Sequence, residues 1–121
     1  MKITLITGGL GFIGSNICDS LLQKKYTNKC ILLDNFGGYM NPIKDSFIDF
    51  RKQRFPSLKN IIIERCDTSN YKALSSIINK YKPNYIYHTA ALPLAKVSNL
   101  NNEEAKISSV DSTINIIDAI N

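Results

Sequence analysis

The sequence has little of what marks several common classes of protein. Its 121 residues contain one histidine and three cysteines, and the cysteines form no CxxC pair. Scattered cysteines predict buried, reduced thiols rather than disulfides or a metal site, and they favour a cytoplasmic protein. No apolar run is long enough to cross a bilayer. Because the chain starts directly with the strand-like KITLIT, we expect no signal peptide and no membrane partner.

Positive charge is only in mild excess, with 15 Lys and Arg residues against 10 Asp and Glu residues and a formal net charge of +5. A nucleic-acid-binding surface needs basic residues interleaved with stacking aromatics on one face. The nearest candidate, RKQRF at 51–55, is short. We therefore interpret the charge as a solvated surface that helps to attract an anionic ligand. We expect no nucleic-acid partner, since that alternative rests on the charge balance alone.

Apolar runs alternate with helical patterns along the chain. Strands are predicted at 2–7, 30–34, 60–65 and 84–88, of which the first two are buried runs. Helices are predicted at 12–25, 69–81 and 102–120, with one further helix before Pro56. This βαβαβαβα order predicts one α/β domain over residues 1–121. It has a parallel sheet, right-handed crossovers and helices on both faces.

Two of these helices carry specific expectations. Ser69 is the expected N-cap of the helix over 69–81, and the residues predicted to face inward from that helix are Leu74, Ile77 and Ile78. The helix over 102–120 has an apolar stripe at spacings of three and four, formed by Ile107, Val110, Ile114 and Ile117. We expect this stripe to be poorly covered in the isolated chain, which should therefore associate.

The most specific segment is TLITGGLGFIGSN, residues 4–16, in which a strand enters a glycine-rich turn and a helix follows. Gly8 is expected to allow the tight turn. Gly11 has no Cβ, so a pyrophosphate can approach the backbone there, and Gly14 lets the helix pack closely. The segment therefore predicts a phosphate-binding turn.

The residues around this turn predict that its ligand is a dinucleotide. Phe12 and Ile13 offer amide donors to phosphates at the helix N-terminus. Ser15 stands where a P-loop requires lysine, which excludes that motif. Asp34 ends the next strand about twenty residues after Gly14, where a carboxylate binds the adenosine ribose and repels a 2′-phosphate. Since no arginine follows in DNFGG, NAD is favoured over NADP.

Together these motifs resemble those of the extended short-chain dehydrogenase/reductases, in particular the NAD-dependent epimerase/dehydratase family of nucleotide-sugar enzymes. TGGLGFIG is similar to that family's TGGxGFIG turn, and LLDNF (32–36) to its second-strand ending. ERCDTSN (64–70) resembles its third-strand motif, and YHTAA (87–91) its HLAA stretch. The resemblance covers the whole chain and implies a Rossmann-type sheet with strand order 3-2-1-4.

The resemblance also implies roles for residues beyond the turn. It implies cofactor contacts by a set of residues after the second, third and fourth strands: Asn35, Asp67, Thr68, Thr89, Ala90 and Ala91. Ser109 stands where the family has an asparagine that helps to hold the cofactor, and it is a weak substitute. His88 is expected to be structural. Tyr85 and Tyr87 are expected to pack in their strand.

The family's chemistry requires a Tyr-x-x-x-Lys pair, and no tyrosine of this chain has a lysine four residues later. The resemblance thus implies that the catalytic residues and the sugar-binding region lie beyond Asn121, in a longer enzyme whose sheet continues with a fifth strand. We expect no catalytic or metal-binding residue in the chain, NAD as cofactor, and a nucleotide-sugar substrate for a homodimeric full-length enzyme. The alternative is a non-catalytic dinucleotide-binding or redox-sensing module.

Overall fold

Residues 1–36, 52–91 and 102–121, which the computed structural model describes, form a four-stranded parallel sheet flanked by helices. The strands are β1 (Ile3–Thr7), β2 (Lys29–Asp34), β3 (Ile61–Arg65) and β4 (Tyr85–His88). The helices are α1 (Phe12–Gln23), α2 (Tyr71–Tyr81), α3 (Asn102–Ala105) and α4 (Ser112–Ile120), with a π-helical segment (Lys106–Asp111) between the last two. No helix in these ranges is long and apolar enough to cross a membrane. Most of the helix predicted before Pro56 lies outside the described residues.

The strand order is β3-β2-β1-β4, which confirms the predicted Rossmann-type topology. β1 runs parallel to both of its neighbours, with Thr7 opposite Leu33 on one side and opposite His88 on the other. β2 is parallel to β3, with Asp34 opposite Arg65. Because all four strands point the same way, the loops that follow them meet at one edge of the sheet, where ligands bind in such folds.

An apolar core on each face of the sheet fixes the helices, as the sequence predicts. One core packs β1 and β2 against α2 and α4, through Leu5, Ile31, Leu33, Leu74, Ile78 and Ile116. The other packs the opposite faces of the same strands against α1, through Ile6, Leu10, Cys18, Cys30 and Leu32, with Phe55. The two central strands are buried on both faces because apolar residues follow one another in them without polar alternation.

The three cysteines are free and buried, as predicted. A hydrogen bond with Cys30, together with burial, raises the pKa of the Cys18 thiol. Burial also raises the pKa of Cys66. Because all three side chains are buried and form no disulfide, they pack as small groups in the interior.

The N-cap of α2 is Asn70, so the prediction of Ser69 is wrong. The Asn70 side-chain oxygen accepts the Ala73 N–H at 3.1 Å. Ser69 instead donates its own N–H and hydroxyl to Asp67 Oδ1, at 2.9 and 2.8 Å. The C-cap of the helix is Lys82, which adopts a left-handed conformation with φ of 46°. Of the predicted inward residues, Leu74 and Ile78 are buried and Ile77 is partly buried.

The chain's last helix is not the continuous α-helix predicted over 102–120. Residues 106–111 form a π-helix, whose i→i+5 bonds widen the turn and change which side chains face the protein. Ser112 and Ile116 are buried, whereas the predicted apolar stripe is 39% to 51% exposed. The expectation that this stripe is poorly covered is therefore confirmed, but the spacing of apolar residues did not identify Ile116 as the core residue.

Candidate functional site

The turn after β1 requires glycine at several positions for steric reasons. Gly8 has a φ of 64°, and a Cβ on it would lie 2.9 Å from the Ala90 nitrogen. A Cβ on Gly14 would lie 2.3 Å from the Gly8 oxygen, so the start of α1 packs directly on the turn. A Cβ on Gly9 would lie 2.6 Å from the Leu32 Cβ. The glycine spacing in the sequence did not predict this requirement. The turn thus packs closely against β2 and against the segment that follows β4.

The start of α1 presents amide groups that precede the helical hydrogen bonds at the outer side of this turn. Gly11 is the N-cap, its own N–H bonds the Gly8 oxygen at 3.0 Å, and the first helical bond runs from Ser15 N to Gly11 O at 3.0 Å. The N–H groups of Phe12 and Ile13 therefore precede the helical hydrogen-bond ladder. A Cβ on Gly11 would meet only the Gly8 oxygen, at 3.1 Å, among the described residues. This side of the turn is open to a ligand.

Asp34 connects the end of β2 to the glycine turn. Its Oδ2 accepts the Leu10 N–H at 3.1 Å, and its Oδ1 accepts the Phe36 N–H at 2.9 Å. The residue is 8% exposed. Asn35, the next residue along the chain, is exposed. The carboxylate therefore sits beside the turn, where a ribose next to a bound pyrophosphate could reach it.

The Thr7 hydroxyl organises the segment after β4. Its Oγ1 accepts the N–H groups of Thr89 and Ala90 at 3.1 and 3.2 Å and lies 2.7 Å from His88 Nδ1. The Thr89 hydroxyl donates to the Thr7 carbonyl at 2.6 Å. The segment over 89–91, which ends in the exposed Ala91, is thereby brought against the glycine turn. Thr7 was not singled out from the sequence because its partners are more than 80 positions away.

The last helix contacts His88, at the end of β4, through Ser112. Ser112 is fully buried, and its Oγ lies 3.4 Å from His88 Nε2 and donates to the Ser108 carbonyl at 2.6 Å. Ser109 is exposed. The π-helical segment explains why Ser112 is buried and Ser109 is exposed. It adds residues to the turn, so the side chains that face inward no longer follow the regular α-helical spacing.

The segment after β3 contributes Asp67 and Thr68 to the same edge of the sheet. Asp67 is exposed and accepts the two hydrogen bonds from Ser69 described above. Thr68 is buried, and its carbonyl accepts the Asn115 side-chain N–H at 3.0 Å. The α4 helix thus fixes the position of this segment.

An apolar groove runs along the other flank of α1, beside β4. Its lining includes Phe12, Ile13, Ile17 and Tyr87. Phe12 and Ile13 are 76% and 64% exposed, so the helix start offers amides on one side and apolar side chains on the other. The prediction that Tyr85 and Tyr87 pack in their strand is wrong, because they are 50% and 40% exposed on β4, which lies at the edge of the described sheet.

A family model decides the relationship of the chain to known proteins. The model described as GDP-mannose 4,6 dehydratase matches residues 5–121. The chain belongs to this family. The matched range begins within β1 and includes the glycine turn, Asp34 and all the helices described above, so the whole candidate site lies within it.

One relative and two solved structures are similar to the chain over nearly its whole length. A GDP-mannose 4,6 dehydratase of Drosophila melanogaster is 32% identical over 120 residues, which is 98% of this chain and 29% of that protein. A Thermus thermophilus UDP-glucose 4-epimerase, solved in complex with NAD, superposes with a TM-score of 0.73 at 24% identity over 97% of this chain and 33% of its own. An L-threonine dehydrogenase of Clostridium difficile superposes with a TM-score of 0.70 at 26% identity over 98% and 33%. The chain thus spans about a third of the length of these relatives.

Proposed function

We propose that the chain binds NAD at the carboxyl edge of its sheet and is the cofactor-binding portion of a nucleotide-sugar dehydratase or epimerase. The observation that carries this proposal is the hydrogen bond from the Leu10 amide to Asp34. It keeps a carboxylate beside a glycine turn at a helix N-terminus. A dinucleotide is the ligand that needs these groups side by side, because its adenosine ribose adjoins its pyrophosphate.

The turn fits the pyrophosphate. The open side of Gly11 lets phosphate oxygens reach the backbone. The amides of Phe12 and Ile13 donate to them at the positive end of the α1 dipole. Charge-assisted hydrogen bonds of this kind are worth about 1.5–3 kcal/mol each.

The remaining groups of the cofactor are assigned by their order along the edge of the sheet. Asp34 and Asn35 bind the adenosine ribose. The adenine lies near Asp67 and Thr68, after β3. The phosphates and the nicotinamide ribose pass a segment after β4 formed by Thr89, Ala90 and Ala91. In the last helix, the family resemblance assigns a cofactor contact to Ser109.

We further propose that the 121-residue chain binds the cofactor without turning it over. A tyrosine whose pKa is lowered by a nearby lysine moves the proton in the enzymes that the chain resembles, and no Tyr-x-x-x-Lys pair occurs in its sequence. The sugar chemistry is therefore proposed for the whole protein. The Drosophila relative is a GDP-mannose dehydratase and the Thermus relative is a UDP-glucose epimerase, so a nucleotide sugar is the proposed substrate of the whole protein. A cytoplasmic homodimer is proposed for it as well.

Isothermal titration calorimetry of the 121-residue chain tests the cofactor proposal. NAD and ADP-ribose should bind with similar affinity, because the chain supplies the adenosine and pyrophosphate half of the site. The Asp34→Ala substitution should lower the affinities for NAD and ADP-ribose by a similar factor. A large preference for NAD over ADP-ribose contradicts the proposed division of the site, and the absence of binding by either ligand overturns the proposal itself.

A further inference from the structure

The edge of the sheet at which the four strands begin, here called the amino edge, is rich in lysine. One lysine lies at each strand start or within three residues before it; in the order of the sheet these are Lys59, Lys29, Lys2 and Lys82. Two more, Lys24 and Lys25, follow α1, which runs back to this edge. Lys29 is partly buried and the other five are exposed. Residues that are far apart in the sequence thus form one basic surface, on the side of the sheet opposite the cofactor site.

Two asparagine side chains connect the strand starts. Asn28 Oδ1 accepts the Lys2 N–H at 2.8 Å, and Asn84 Oδ1 accepts the Ile3 N–H at 2.8 Å. The Asn28 N–H donates in turn to the Lys2 carbonyl at 2.9 Å. Because adjacent strands lie about 4.8 Å apart, the lysines at the four strand starts form a row about 14 Å long. The backbone positions in the middle of this row are therefore fixed by the fold.

The helix dipole accounts for only part of this cluster. Lys24 and Lys25 follow the carboxyl end of α1 and Lys82 is the C-cap of α2, where a positive charge stabilises the helix. Lys2 and Lys59 precede strands, and β-sheets have only small net dipoles. The lysines at the strand starts therefore have no such role in stabilising the fold.

Few negative charges offset the lysines of the amino edge. In the last two turns of α1, α2 and α4, which end at this edge, the acidic residues are Asp19 and Asp118. The Asp19 carboxylate already accepts a hydrogen bond from Gln23 at 2.8 Å. None of the six lysines forms an ion pair with a described residue. The amino edge thus carries a net positive charge that is available to an anionic partner.

Two exposed tyrosines lie beside this basic row. Tyr26 is 63% exposed and directly follows the two lysines after α1. Tyr85 is the first residue of β4 and is 50% exposed. Ile86 packs into the core beneath α2 and α4, so the Tyr85 side chain lies on the opposite face of the sheet, which is the face of α1. Both rings are therefore near the carboxyl end of α1, next to the lysines.

We propose that the amino edge binds single-stranded nucleic acid without preference for its sequence. The lysines contact phosphates along the strand, and Tyr26 and Tyr85 stack on its bases. A row of charges with aromatic rings beside it suits a linear polyanion that carries bases, whereas a lipid surface has no flat rings on which the tyrosines could stack. The surface combines the basic and aromatic residues that the short segment RKQRF does not provide. The proposal replaces the expectation of no nucleic-acid partner, which considered that segment and the charge balance alone.

Fluorescence anisotropy of a labelled oligothymidylate about 12 nucleotides long, titrated with the 121-residue chain, tests this inference. If four phosphates are contacted, the affinity should fall about 50-fold between about 50 mM and about 200 mM salt. ADP-ribose should leave the affinity unchanged within about twofold, because the cofactor site lies at the carboxyl edge of the sheet. Displacement of the oligonucleotide by ADP-ribose overturns the inference, since the oligonucleotide would then occupy the nucleotide site. The absence of binding overturns it as well, and neither result depends on NAD turnover.

Lysine variants test the basic row. Lys2→Gln/Lys59→Gln should lower the affinity for the oligonucleotide by at least about tenfold at low salt and reduce the slope of its salt dependence by about 1.4. The matched control is Lys72→Gln/Lys106→Gln, which removes the same charge at exposed positions away from the amino edge. It should change the affinity by less than about twofold. An equal loss in both double variants overturns the assignment to the amino edge.

A tyrosine variant separates nucleic acid from other anionic partners. Tyr26→Ala should lower the affinity for the oligonucleotide by about fivefold or more, because a stacked base loses its partner. The control is Tyr71→Ala, at a tyrosine that is 47% exposed at the start of α2, and it should have little effect. Binding of the chain to phosphatidylserine vesicles but not to the oligonucleotide overturns the inference in favour of a membrane surface. Circular dichroism checks that each variant is folded, and the salt and ADP-ribose titrations of the unmodified chain stand even if one is not.

Discussion

Nδ1 of His88 lies 2.7 Å from Oγ1 of Thr7, across the β1–β4 pair. The Thr7 hydroxyl oxygen also accepts the N–H groups of Thr89 and Ala90, so its single proton is available for the imidazole. The ring then accepts at Nδ1 and presents its own proton from Nε2 towards Ser112 Oγ. This arrangement requires a neutral ring, and burial lowers the pKa of His88. The histidine thus connects β1, β4 and the last helix.

The stability of the protein should therefore decrease in mild acid through His88. Its folded-state pKa lies below the ordinary value of 6.5, so the unfolded chain binds more protons in the interval between the two values. The contribution of His88 is fully present above pH 6.5 and is lost as the pH falls from there towards the lower folded pKa. Urea unfolding between about pH 7.5 and about pH 5.5 should show a smaller decrease for His88→Gln. Equal pH dependence in the two proteins would contradict the prediction.

Replacement of Thr7 by valine should destabilise the fold more than an ordinary loss of a hydroxyl. Thr7→Val removes the acceptor of the Ala90 N–H and the donor to His88 Nδ1, at a cost of about 1–3 kcal/mol for each group left unsatisfied, whereas the Thr89 N–H keeps the Thr7 carbonyl at 3.2 Å. The control is Thr4→Val, which removes one bond of 2.9 Å to Thr27, whose hydroxyl keeps its carbonyl partners. It should cost about 1 kcal/mol. Urea unfolding that ranked the two variants equally would refute the role given to Thr7.

Two glycine substitutions in the turn should separate folding from binding. Gly14→Ala places a Cβ 2.3 Å from the Gly8 oxygen and should lower the thermal midpoint by several degrees. Gly11→Ala meets an atom only at 3.1 Å, and its φ of −71° suits alanine. It should leave the thermal midpoint nearly unchanged. It should lower the affinity for NAD by about tenfold or more, because the new methyl group lies where the pyrophosphate contacts the backbone. An unchanged NAD affinity in Gly11→Ala would contradict the placement of the pyrophosphate at this position.

The apolar stripe of the last helix should cause the isolated chain to associate. Ile114 is 49% exposed in the middle of this stripe, and a charge there opposes burial against a second copy. Ile114→Lys should reduce the apparent mass in light scattering at high concentration. Thr113→Lys adds the same charge at the neighbouring exposed position, outside the stripe. It should reduce the apparent mass less than Ile114→Lys does. A monomeric unmodified chain would show that the stripe alone does not drive association.

The topology of the sheet was predictable from the sequence because each buried strand is a short apolar run and each crossover contains an amphipathic pattern. The N-cap of α2 was not. Ser69 and Asn70 are both good capping residues, and the choice depends on Asp67, which takes the Ser69 N–H and hydroxyl. Local propensity does not include such competition.

The parts of the site that the sequence did not reveal depend on contacts over long distances or on irregular geometry. Gly9 is required by the Leu32 side chain, and Arg54 reaches the turn from 44 positions away. Ser112 faces His88 because the π-helical turn over 106–111 interrupts the regular rotation of the helix. A pattern of spacings assumes constant rotation and local neighbours, so it could identify the turn and Asp34 but not the side chains gathered around them.

The close contact between Gly8 and Ala90 has a dynamic consequence. Because no Cβ separates them, the turn after β1 and the segment after β4 meet backbone to backbone, so the opening of either one breaks its contact with the other. In hydrogen-exchange terms they form one cooperative unit although about 80 residues separate them in the chain. The Thr89 and Ala90 amides should therefore exchange more slowly when a ligand occupies the glycine turn.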